Sequence, residues 1–401
     1  IWDGSRANNA WLQELPKPLL KTVWDNVVAV SPALAARLGL VNGDMVRVGA
    51  GGRHVDGPAW VLPGQAADTV TLYLGHGRTA AGRVGNGVGY DAGRLRSPAA
   101  PWTLAGVTLA RLDATHAVAT TQLQQAIEGP GVIRVVKAAA DKAGAPVDTA
   151  TLYPPRPADL PAGAPSSEPR WGMVIDLDLC TGCGACTVAC QSENNIPSVG
   201  RDQVAKGRAM HWMRVDRYHA GPVEAPASFF QPVPCMHCEQ APCETGCPVH
   251  ATIHGPDGVN EMVYNRCIGT RTCSSYCPYK VRRFNWHDYT GGEPESIQAQ
   301  RNPDVTVRNR GVMEKCTYCI QRIRGAVVAA DKDGRAVGAN EVVTACQSAC
   351  PSGAIKFGDL NDPRNVAAVA RKSPRNYAML EELGVRPRTT YLARIVPDDE
   401  A

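Results

Sequence analysis

The sequence predicts an α+β protein with two dissimilar parts, a β-rich, barrel-like domain followed by a cysteine-rich domain. Three observations indicate this arrangement. All fifteen cysteines lie between Cys180 and Cys350, a proline-rich run precedes them, and short apolar segments alternate with turns further upstream. A chain of 401 residues also favours two domains over one. The predicted boundaries are 1–125 for the first domain, 126–170 for a helix and linker, and 171–401 for the second domain.

The first domain is predicted to combine short strands with small helices. The segment VVAVSPALAARLGLVNGDMVRV gives a strand, then a helix with Ser31 as N-cap, Pro32 at its first position and Gly39 at its end. An Asn-Gly turn follows and leads into a strand from Met45 to Val48. These signals predict mixed β structure with at least one short helix.

A glycine-rich stretch lies further along the same domain. The segment GHGRTAAGRVGNGVGYDAGRLR has enough glycine for its backbone to approach a phosphate, but it contains no G-x-G-x-x-G motif. Tight turns in a barrel are the alternative interpretation. His76 is the single histidine in the stretch, and we expect a structural role for it.

The proline-rich run YPPRPADLPAGAPSSEPR, from Tyr153 to Arg170, predicts an extended spacer between the domains. At the other end of the chain, Asp362-Pro363 and Ser373-Pro374 each predict a helix start, and Gly384 is expected to end the second helix. These C-terminal helices are expected to cover the cysteine-rich domain.

Composition excludes some classes of protein. The formal net charge of +4 is too small to indicate a nucleic-acid partner. No run of about eighteen apolar residues occurs, so membrane contact is expected only through a partner. The chain begins IWDGSRANNA, without an initiator Met, a signal core or a twin arginine, and we expect it to be a processed or incomplete piece of a longer protein.

The cysteines form four groups with recurring spacing. An odd number of cysteines confined to one region argues against a disulfide framework. In chain order, the groups are Cys180, Cys183, Cys186 and Cys190; Cys235, Cys238, Cys243 and Cys247; Cys267, Cys273 and Cys277; and Cys316, Cys319, Cys346 and Cys350.

This spacing is typical of iron–sulfur proteins. The first group has the full C-x2-C-x2-C-x3-C run, and the other three groups end in Cys-Pro. In two-cluster ferredoxins the fourth cysteine binds the neighbouring cluster, so the groups are expected to work in pairs and to form a double bis-cluster ferredoxin-like domain. Zinc is an alternative for the fourth group alone. Buried inert cysteines would not explain the spacing.

The third group lacks one cysteine, because Thr270 stands where the motif places its second ligand. Three clusters with four thiolates each use twelve of the fifteen cysteines and leave three, which is the ligand count of a [3Fe-4S] cluster. A hydroxyl is a poor iron ligand beside thiolate, so Thr270 is predicted to mark the vacant corner of that cluster. The alternative is a four-iron cluster whose odd iron binds water or the threonine oxygen.

These groups, the Thr-for-Cys loop and the segment CPYKVRRFNW resemble the four-cluster electron-transfer subunits of the dimethyl sulfoxide reductase superfamily. The chain is most similar to the iron–sulfur subunits B of bacterial alternative complex III. Upstream, WLQELPKPLLKTVWDNVVAVSPALAARLGLVNGDMVRV resembles the C-terminal, dinucleotide-binding-type domain of molybdopterin oxidoreductases. The fusion of both domains in one chain is the feature that favours alternative complex III.

The resemblance implies a pairing that the spacing alone leaves open, with the first group linked to the fourth and the second to the third. It implies four ligand sets, which we number here: set 1 is Cys180, Cys183, Cys186 and Cys350; set 2 is Cys190, Cys316, Cys319 and Cys346; set 3 is Cys235, Cys238, Cys243 and Cys277; and set 4 is Cys247, Cys267 and Cys273. Sets 1 to 3 are expected to hold [4Fe-4S] clusters and set 4 the [3Fe-4S] cluster, with molybdopterin absent.

The resemblance also implies a function. The chain is expected to carry electrons from a membrane-embedded quinol-binding subunit towards c-type cytochrome subunits, within a hetero-oligomeric complex and without a substrate site of its own. It is expected on the periplasmic face of the bacterial inner membrane, exported after cluster insertion by a twin-arginine route. The main alternative is the electron-transfer subunit of a molybdoenzyme that acts on polysulfide, tetrathionate or nitrate. Clusters as structural staples of an interaction module are a further alternative.

Five basic residues flank the cysteine loops. Positive charge near a cluster favours its more negative, reduced state, so these residues are expected to influence reduction potentials. The alternative is that they are simply solvated surface side chains. They are Arg271, Lys280, Arg282, Arg283 and Lys315.

Iron content tests the ligand count. Three four-iron clusters and one trinuclear cluster predict about fifteen iron atoms per loaded chain. The measurement is an iron assay of the purified protein with low-temperature EPR of its oxidised state. About sixteen iron atoms without a [3Fe-4S] signal would contradict the count. Zinc in place of iron would contradict the iron–sulfur interpretation itself.

Overall fold

The structure is a computed structural model that describes residues 3–127, 129, 131–137 and 169–397. Its described residues divide into two compact units. Unit 1 comprises those within Ile1–Ala126, Ser198–Ala209 and Arg217–Phe229. Unit 2 comprises those within Ile127–Pro197, Met210–Asp216 and Phe230–Ala401.

The α-helices in the described residues are short. In chain order they are α1 Ala10–Glu14, α2 Pro32–Leu38, α3 Ala185–Glu193, α4 Arg201–Ala205, α5 Pro242–Thr245, α6 Thr272–Tyr276, α7 Glu295–Gln298, α8 Ile320–Lys332, α9 Ala345–Ser348 and α10 Val366–Arg371. None of them is long and apolar enough to cross a membrane.

Most of the strands are short as well. In chain order they are β1 Val28–Val30, β2 Asp44–Ala50, β3 Arg53–Val61, β4 Val70–Leu72, β5 Thr108–Thr115, β6 Val135–Lys137, β7 Trp171–Asp176, β8 Arg214–Ala220, β9 Ala227–Val233, β10 Thr252–His254, β11 Asn260–Met262, β12 Arg283–Phe284, β13 Met313–Glu314, β14 Ile355–Asp359, β15 Asn376–Tyr377, β16 Thr389–Leu392 and β17 Arg394–Val396.

Unit 1 is built on a five-stranded sheet with the order β4-β1-β3-β2-β5. Strand β1 runs parallel to β3, and the other neighbours are antiparallel. Side chains alternate along β2, where Val46 and Val48 are buried and Arg47 is exposed. Helix α2 packs Leu34 and Ala35 into the same core. Buried apolar side chains of β1, α2, β2 and β3 therefore form the centre of this unit.

The predicted helix in this unit is confirmed. Helix α2 has Ser31 as its N-cap, and the Ser31 hydroxyl accepts a hydrogen bond from the backbone N–H of Leu34. Pro32 occupies the first turn, and Gly39 ends the helix in the left-handed conformation with φ 61°. The strand expected from Met45 to Val48 is also present, as the central part of β2.

The predicted barrel is not seen in the described part of unit 1. The sheet has two edges, β4 and β5, and closing it would require these strands to pair. Strand β4 has only three residues, and β5 has mostly exposed side chains, so neither offers the length or the buried face that closure needs. The molybdopterin-type character of this domain stays a prediction.

A later segment of the chain completes unit 1. The buried Glu14 carboxylate accepts hydrogen bonds from the backbone N–H groups of Val199 and Gly200, and burial raises the pKa of Glu14 to about 7. Val204 of α4 packs against Val23 in a small apolar cluster. These contacts attach α4 to the N-terminal part of the chain.

Unit 2 contains a four-stranded sheet with the order β14-β7-β16-β15. Strand β7 is buried along its whole length, antiparallel to β14 and parallel to β16. Helix α10 covers this sheet, with Ala367 packed against Val174 and Leu392. Three two-stranded sheets, β10-β11, β12-β13 and β17-β6, complete the unit, and β8 pairs with β9.

The ends of unit 2 differ from the sequence-based expectation. The first expected C-terminal helix is α10, with Asn365 rather than Asp362 as its N-cap. The second is absent from the described residues, where β15 and a 3₁₀ turn, Glu381–Leu383, stand in its place. Tyr377 of β15 is fully buried against Tyr391 of β16, and this packing favours a strand. Gly384 does end the 3₁₀ turn.

The linker prediction lies almost entirely outside the described residues. Only residues 169 and 170 of the proline-rich run are described. In the segment before it, where a helix was expected, the described residues end at Lys137 and include β6. Strand β6 pairs in parallel with β17.

A buried ion pair stabilises unit 2. Arg308 donates to the Glu314 carboxylate at 2.9 Å, and both side chains are almost completely buried. Trp212 Nε1 and Asn285 Nδ2 donate to the same carboxylate at 2.9 and 2.8 Å. The carboxylate thus has a charged partner and two neutral donors, which a buried charge requires.

Replacing Glu314 by Gln is expected to destabilise the protein strongly. The substitution keeps the size of the side chain but leaves the Arg308 charge buried without its counterion, which costs about 3–5 kcal/mol. The measurement is the thermal unfolding midpoint of the iron-loaded protein. The matched control is Glu341→Gln, which removes the exposed ion pair with Arg335 and should change the midpoint far less. Equal decreases in both variants would contradict this prediction.

Candidate iron–sulfur sites

The four cysteine groups lie in unit 2, and all fifteen thiols are free. Each group places one cysteine at the second residue of a short helix. These cysteines are Cys186 in α3, Cys243 in α5, Cys273 in α6 and Cys346 in α9. A helix start directs its unpaired N–H groups outward, and this favours negative charge nearby. The same local geometry thus recurs in all four loops.

The loop that contains Thr270 has the same backbone form as the first cysteine loop. Gly182 and Gly184, on either side of Cys183, have φ angles of 71° and 79°. Gly269 and Arg271, on either side of Thr270, have φ angles of 74° and 62°. Positive φ is uncommon for a residue with a side chain, so Arg271 adopts a backbone conformation that is unfavourable for arginine in order to keep this loop shape. Thr270 therefore occupies the position of Cys183 in a shared backbone geometry, and both residues are exposed.

The three Cys-Pro ends share a tight turn. In each, the third residue after the cysteine has a positive φ and donates its backbone N–H to the carbonyl of that cysteine. These residues are His250, Lys280 and Gly353, which bond to Cys247, Cys277 and Cys350. The turn reverses the chain, and after Cys247 and Cys350 it leads into β10 and β14.

Two strand pairs connect the cysteine loops. Strand β7, which leads into the first loop, pairs with β14, which leaves the fourth loop. Strand β10, which leaves the second loop, pairs with β11, which leads into the third loop. Because each pair joins the beginning of one loop to the end of another, the first group lies beside the fourth and the second beside the third.

For one cysteine in each set, the thiols that act on its pKa include the other members of the set that the resemblance implies. Burial, followed by the nearby thiols Cys180, Cys183 and Cys350, raises the pKa of Cys186 to about 12. Burial, followed by Cys316, Cys319 and Cys346, raises the pKa of Cys190.

The other two sets converge in the same way. Burial, followed by Cys235, Cys277 and Cys243, raises the pKa of Cys238. Burial also raises the pKa of Cys273, and the thiols of Cys267 and Cys247 act in the same direction. Set 4 therefore gathers three thiols, whereas each of the other sets gathers four. The assignment of these cysteines as cluster ligands stays a prediction.

The four sets follow one another through the unit. The thiols of Cys186 in set 1 and Cys190 in set 2 interact, and so do those of Cys316 in set 2 and Cys235 in set 3. Arg282 interacts with thiols of both set 3 and set 4. Within unit 2, each set therefore interacts with the next one in the order 1, 2, 3, 4.

Hydrogen-bond donors surround the thiol sulfurs, as an iron–sulfur cluster requires. Backbone N–H groups donate to Cys235, Cys316, Cys267 and Cys247 at 3.2–3.5 Å. Such donors stabilise the negative charge of thiolates and help to set cluster potentials. Unloaded, the buried thiols resist ionisation because burial raises their pKa, and a bound metal removes the proton. Donors and convergent thiols together fit the iron–sulfur clusters expected here.

The described ranges contain no group of three or more His, Cys, Asp or Glu side chains that could hold a single metal ion. Ligands of an iron–sulfur cluster do not need to meet that requirement, because the cluster core separates its thiolates more widely than a single ion does.

The five basic residues that flank the loops fall into two classes. Arg282 and Lys315 are buried, so the solvated-surface interpretation is wrong for them. Arg271 and Lys280 are exposed, and Arg283 is half-buried with its Nε donating to the His211 carbonyl. The Arg271 guanidinium lies over the rings of neighbouring aromatic side chains, Trp286 at 4.6 Å and Phe284 at 5.3 Å.

Two residues near the thiols were not singled out from the sequence. His237 and Tyr318, each within a C-x2-C segment, stack with their ring centroids 3.7 Å apart. Their backbone N–H groups donate to Cys235 of set 3 and Cys316 of set 2. Their matching positions in two C-x2-C segments were the available signal, but the stack depends on contacts between distant parts of the chain. Asn194 was also missed, and its Nδ2 donates to sulfurs of set 2.

The glycine-rich stretch of unit 1 lines a cavity of about 730 Å³. Gly75, Gly77, Arg78 and Arg96 are among its lining residues. His76 also lines it but is largely buried, with Nε2 2.8 Å from the Trp24 carbonyl oxygen, and burial lowers the pKa of His76 to about 4. These contacts fit the structural role expected for His76.

Comparison with known proteins supports the iron–sulfur interpretation. Residues 226–292 match a family described as a 4Fe-4S dicluster domain, and residues 171–192 match one described as a 4Fe-4S binding domain. The iron–sulfur cluster-binding subunit of menaquinone reductase from Nitratidesulfovibrio vulgaris is 45% identical, over 56% of this chain and 89% of that protein.

Two relatives of lower sequence identity are also named as oxidoreductase subunits. The iron–sulfur subunit 1 of an Hdr-like menaquinol oxidoreductase from Archaeoglobus fulgidus is 33% identical, over 55% of this chain and 82% of that protein. The B subunit of polysulfide reductase from Wolinella succinogenes is 30% identical, over 55% of this chain and 92% of that protein.

The cysteine loops and their paired strands define a ferredoxin-type iron–sulfur protein. More specifically, the chain belongs to the family of iron–sulfur subunits of dimethyl sulfoxide reductase-family and related quinol oxidoreductases.

The equivalence of Thr270 and Cys183 predicts the effect of Thr270→Cys. The new thiol would stand where the first loop places a ligand, so set 4 should retain a fourth iron and its cluster should acquire a lower potential. Iron assay and EPR of the oxidised protein are the measurements, and Thr270→Ser is the matched control, since it supplies no thiolate. A trinuclear signal that persists unchanged in well-loaded Thr270→Cys protein would contradict the assignment.

Proposed function

We propose that the chain is an electron-transfer subunit of a membrane quinol-oxidising complex and that electrons pass along its four cysteine sets. The observation that carries this proposal is the succession of sets 1 to 4 in one compact unit, with electrostatically interacting thiols or a shared arginine at each junction. Clusters bound there would supply one-electron transfer. The chain itself positions the sets, excludes water from most thiols and supplies donors to the sulfurs.

We further propose [4Fe-4S] clusters in sets 1 to 3 and a [3Fe-4S] cluster in set 4. The thiol counts of the sets support this inventory. Arg271 and Thr270 preserve the loop shape of the first group without supplying a fourth thiolate. Neither molybdopterin nor a catalytic substrate site is part of this proposal.

The side of unit 2 next to set 4 offers a surface for a partner. Ile268 and Tyr276, which flank the Thr270 loop, are 67% and 53% exposed, and Trp286 is 36% exposed. Arg271 adds a positive charge over the Trp286 ring. An apolar surface with aromatic and basic side chains suits a quinol-binding membrane subunit, so we propose that electrons enter at set 4.

In its most specific form, the proposal identifies the complex as alternative complex III. Support comes from the single chain that joins a cysteine-free unit 1 to the cysteine-bearing unit 2. In this form, electrons leave towards c-type cytochrome subunits, and the complex lies at the periplasmic face of the inner membrane. Twin-arginine export of the loaded protein would reconcile fifteen thiols with an oxidising compartment.

A second candidate function is electron transfer in a molybdoenzyme of the dimethyl sulfoxide reductase family. The names of the relatives favour it more than they favour alternative complex III, since polysulfide, tetrathionate and selenate reductase subunits are among them. Two measurements on the purified complex distinguish the candidates. Molybdenum at about one atom per complex would support the molybdoenzyme. Quinol-dependent reduction of c-type haem without molybdenum would support alternative complex III.

Removing the set 4 cluster tests where electrons enter. In the assembled complex, Cys273→Ser is expected to abolish quinol-driven reduction of the other clusters, because their electrons would enter through set 4. A small-molecule reductant should still reduce them. Freeze-quench EPR after addition of quinol is the measurement.

The control for this experiment is Cys183→Ser, which alters set 1, the set furthest from set 4 in the order of the sets. This variant should leave quinol-driven reduction of set 4 at the wild-type rate. Reduction of the remaining clusters at the native rate in Cys273→Ser would mean that electrons enter elsewhere.

A further inference from the structure

Arg282 connects the last two sets. It is only 6% exposed, and its Nη2 donates to Cys243 Sγ of set 3 at 3.1 Å. The charge of the same guanidinium also acts on Cys273 and Cys247 of set 4. One buried cation thus donates a hydrogen bond to a thiol of set 3 and acts through its charge on thiols of set 4.

The hairpin formed by β10 and β11 holds this guanidinium in place. Nη1 donates to the Thr252 hydroxyl at 3.0 Å, and Nη2 donates to Asn260 Oδ1 at 3.1 Å. Thr252 is the first residue of β10, and Asn260 is the first residue of β11. These acceptors are neutral, so the hydrogen bonds orient the guanidinium without cancelling its charge.

We propose that Arg282 is a positioning residue that raises the reduction potentials of set 3 and set 4 together. The inference rests on the proposed function, because it requires redox-active clusters in these sets. A reduced cluster carries one more negative charge than an oxidised one, and a fixed cation nearby stabilises the reduced form. In a buried site this interaction is much stronger than in water. Because the charge of Arg282 acts on both sets, it raises both potentials in the same direction.

The charge of Arg282 is permanent, because a guanidinium is not deprotonated in proteins. Arg282 therefore stays charged throughout the accessible pH range, and its effect does not depend on protonation. By contrast, the exposed Lys280 donates to the Ser275 carbonyl, and water screens its charge.

The test is an EPR-monitored redox titration of each cluster in the assembled complex. Arg282→Gln removes the charge and keeps a hydrogen-bonding side chain. We expect the potentials of set 3 and set 4 to fall together, with reduction about tenfold less favourable at each, or ~59 mV for one electron. Arg282→Lys, which keeps the charge, should restore most of the loss. Lys280→Gln, the matched control, should leave both potentials unchanged.

A second variant tests the same charge without removing the arginine. Asn260→Asp places a carboxylate against the Arg282 guanidinium and should lower both potentials as Arg282→Gln does. This variant decides the question if Arg282→Gln loses its clusters, which an iron assay would reveal.

The proposal is overturned if both clusters stay redox-active with unchanged potentials in Arg282→Gln, or in Asn260→Asp when Arg282→Gln loses its clusters. A decrease at only one set would also overturn it. Failure of the proposed function is a different result, since wild-type clusters would then show no reduction by quinol.

Discussion

Two antiparallel strand pairs determine where the cysteines of unit 2 can meet. The pairing of β7 with β14 joins loops that are far apart in sequence, and the pairing of β10 with β11 joins two that are closer. Within the loops, a helix start at the third ligand position recurs in all four groups, and a tight turn after Cys-Pro recurs in three. If the register of either strand pair were shifted by one residue, the side chains would change faces and the sets would not form.

Burial has opposite effects on the empty and the loaded protein. It raises the pKa of most of the thiols, so the protonated form is favoured before iron is present. Two of the three Cys-Pro thiols are different, because hydrogen bonds outweigh the effect of burial and lower their pKa. Backbone N–H groups do so at Cys247, and the Ser352 hydroxyl together with backbone N–H groups does so at Cys350. Once metal displaces the protons, the same low-dielectric surroundings strengthen every hydrogen bond and charge that acts on the sulfurs. The charges of Arg282 and Lys315 should therefore act strongly on the sulfurs, since both side chains are buried.

Much of the candidate site could be predicted from the sequence, because the spacing of ligands acts over a few residues. The C-x2-C spacing, the Cys-Pro ends and Thr270 were all evident in the linear pattern. The structure shows the physical basis of the Thr270 inference, since Gly269 and Arg271 repeat the φ angles of Gly182 and Gly184. Local signals also located α2, whose N-cap, proline and final glycine lie next to one another in the chain.

Contacts between distant residues decided the remaining features, and no local pattern reports them. The spacing left the pairing of the cysteine groups open, whereas strand pairing in the tertiary structure places the first group beside the fourth and the second beside the third. The segment after Ser373 has a helix-start signal, but the burial of Tyr377 against Tyr391 makes it a strand. The first sheet stays open because β4 is too short to close it. Arg282 and Lys280 are two residues apart and equally basic in sequence, and only tertiary packing buries one of them between two sets while leaving the other in water.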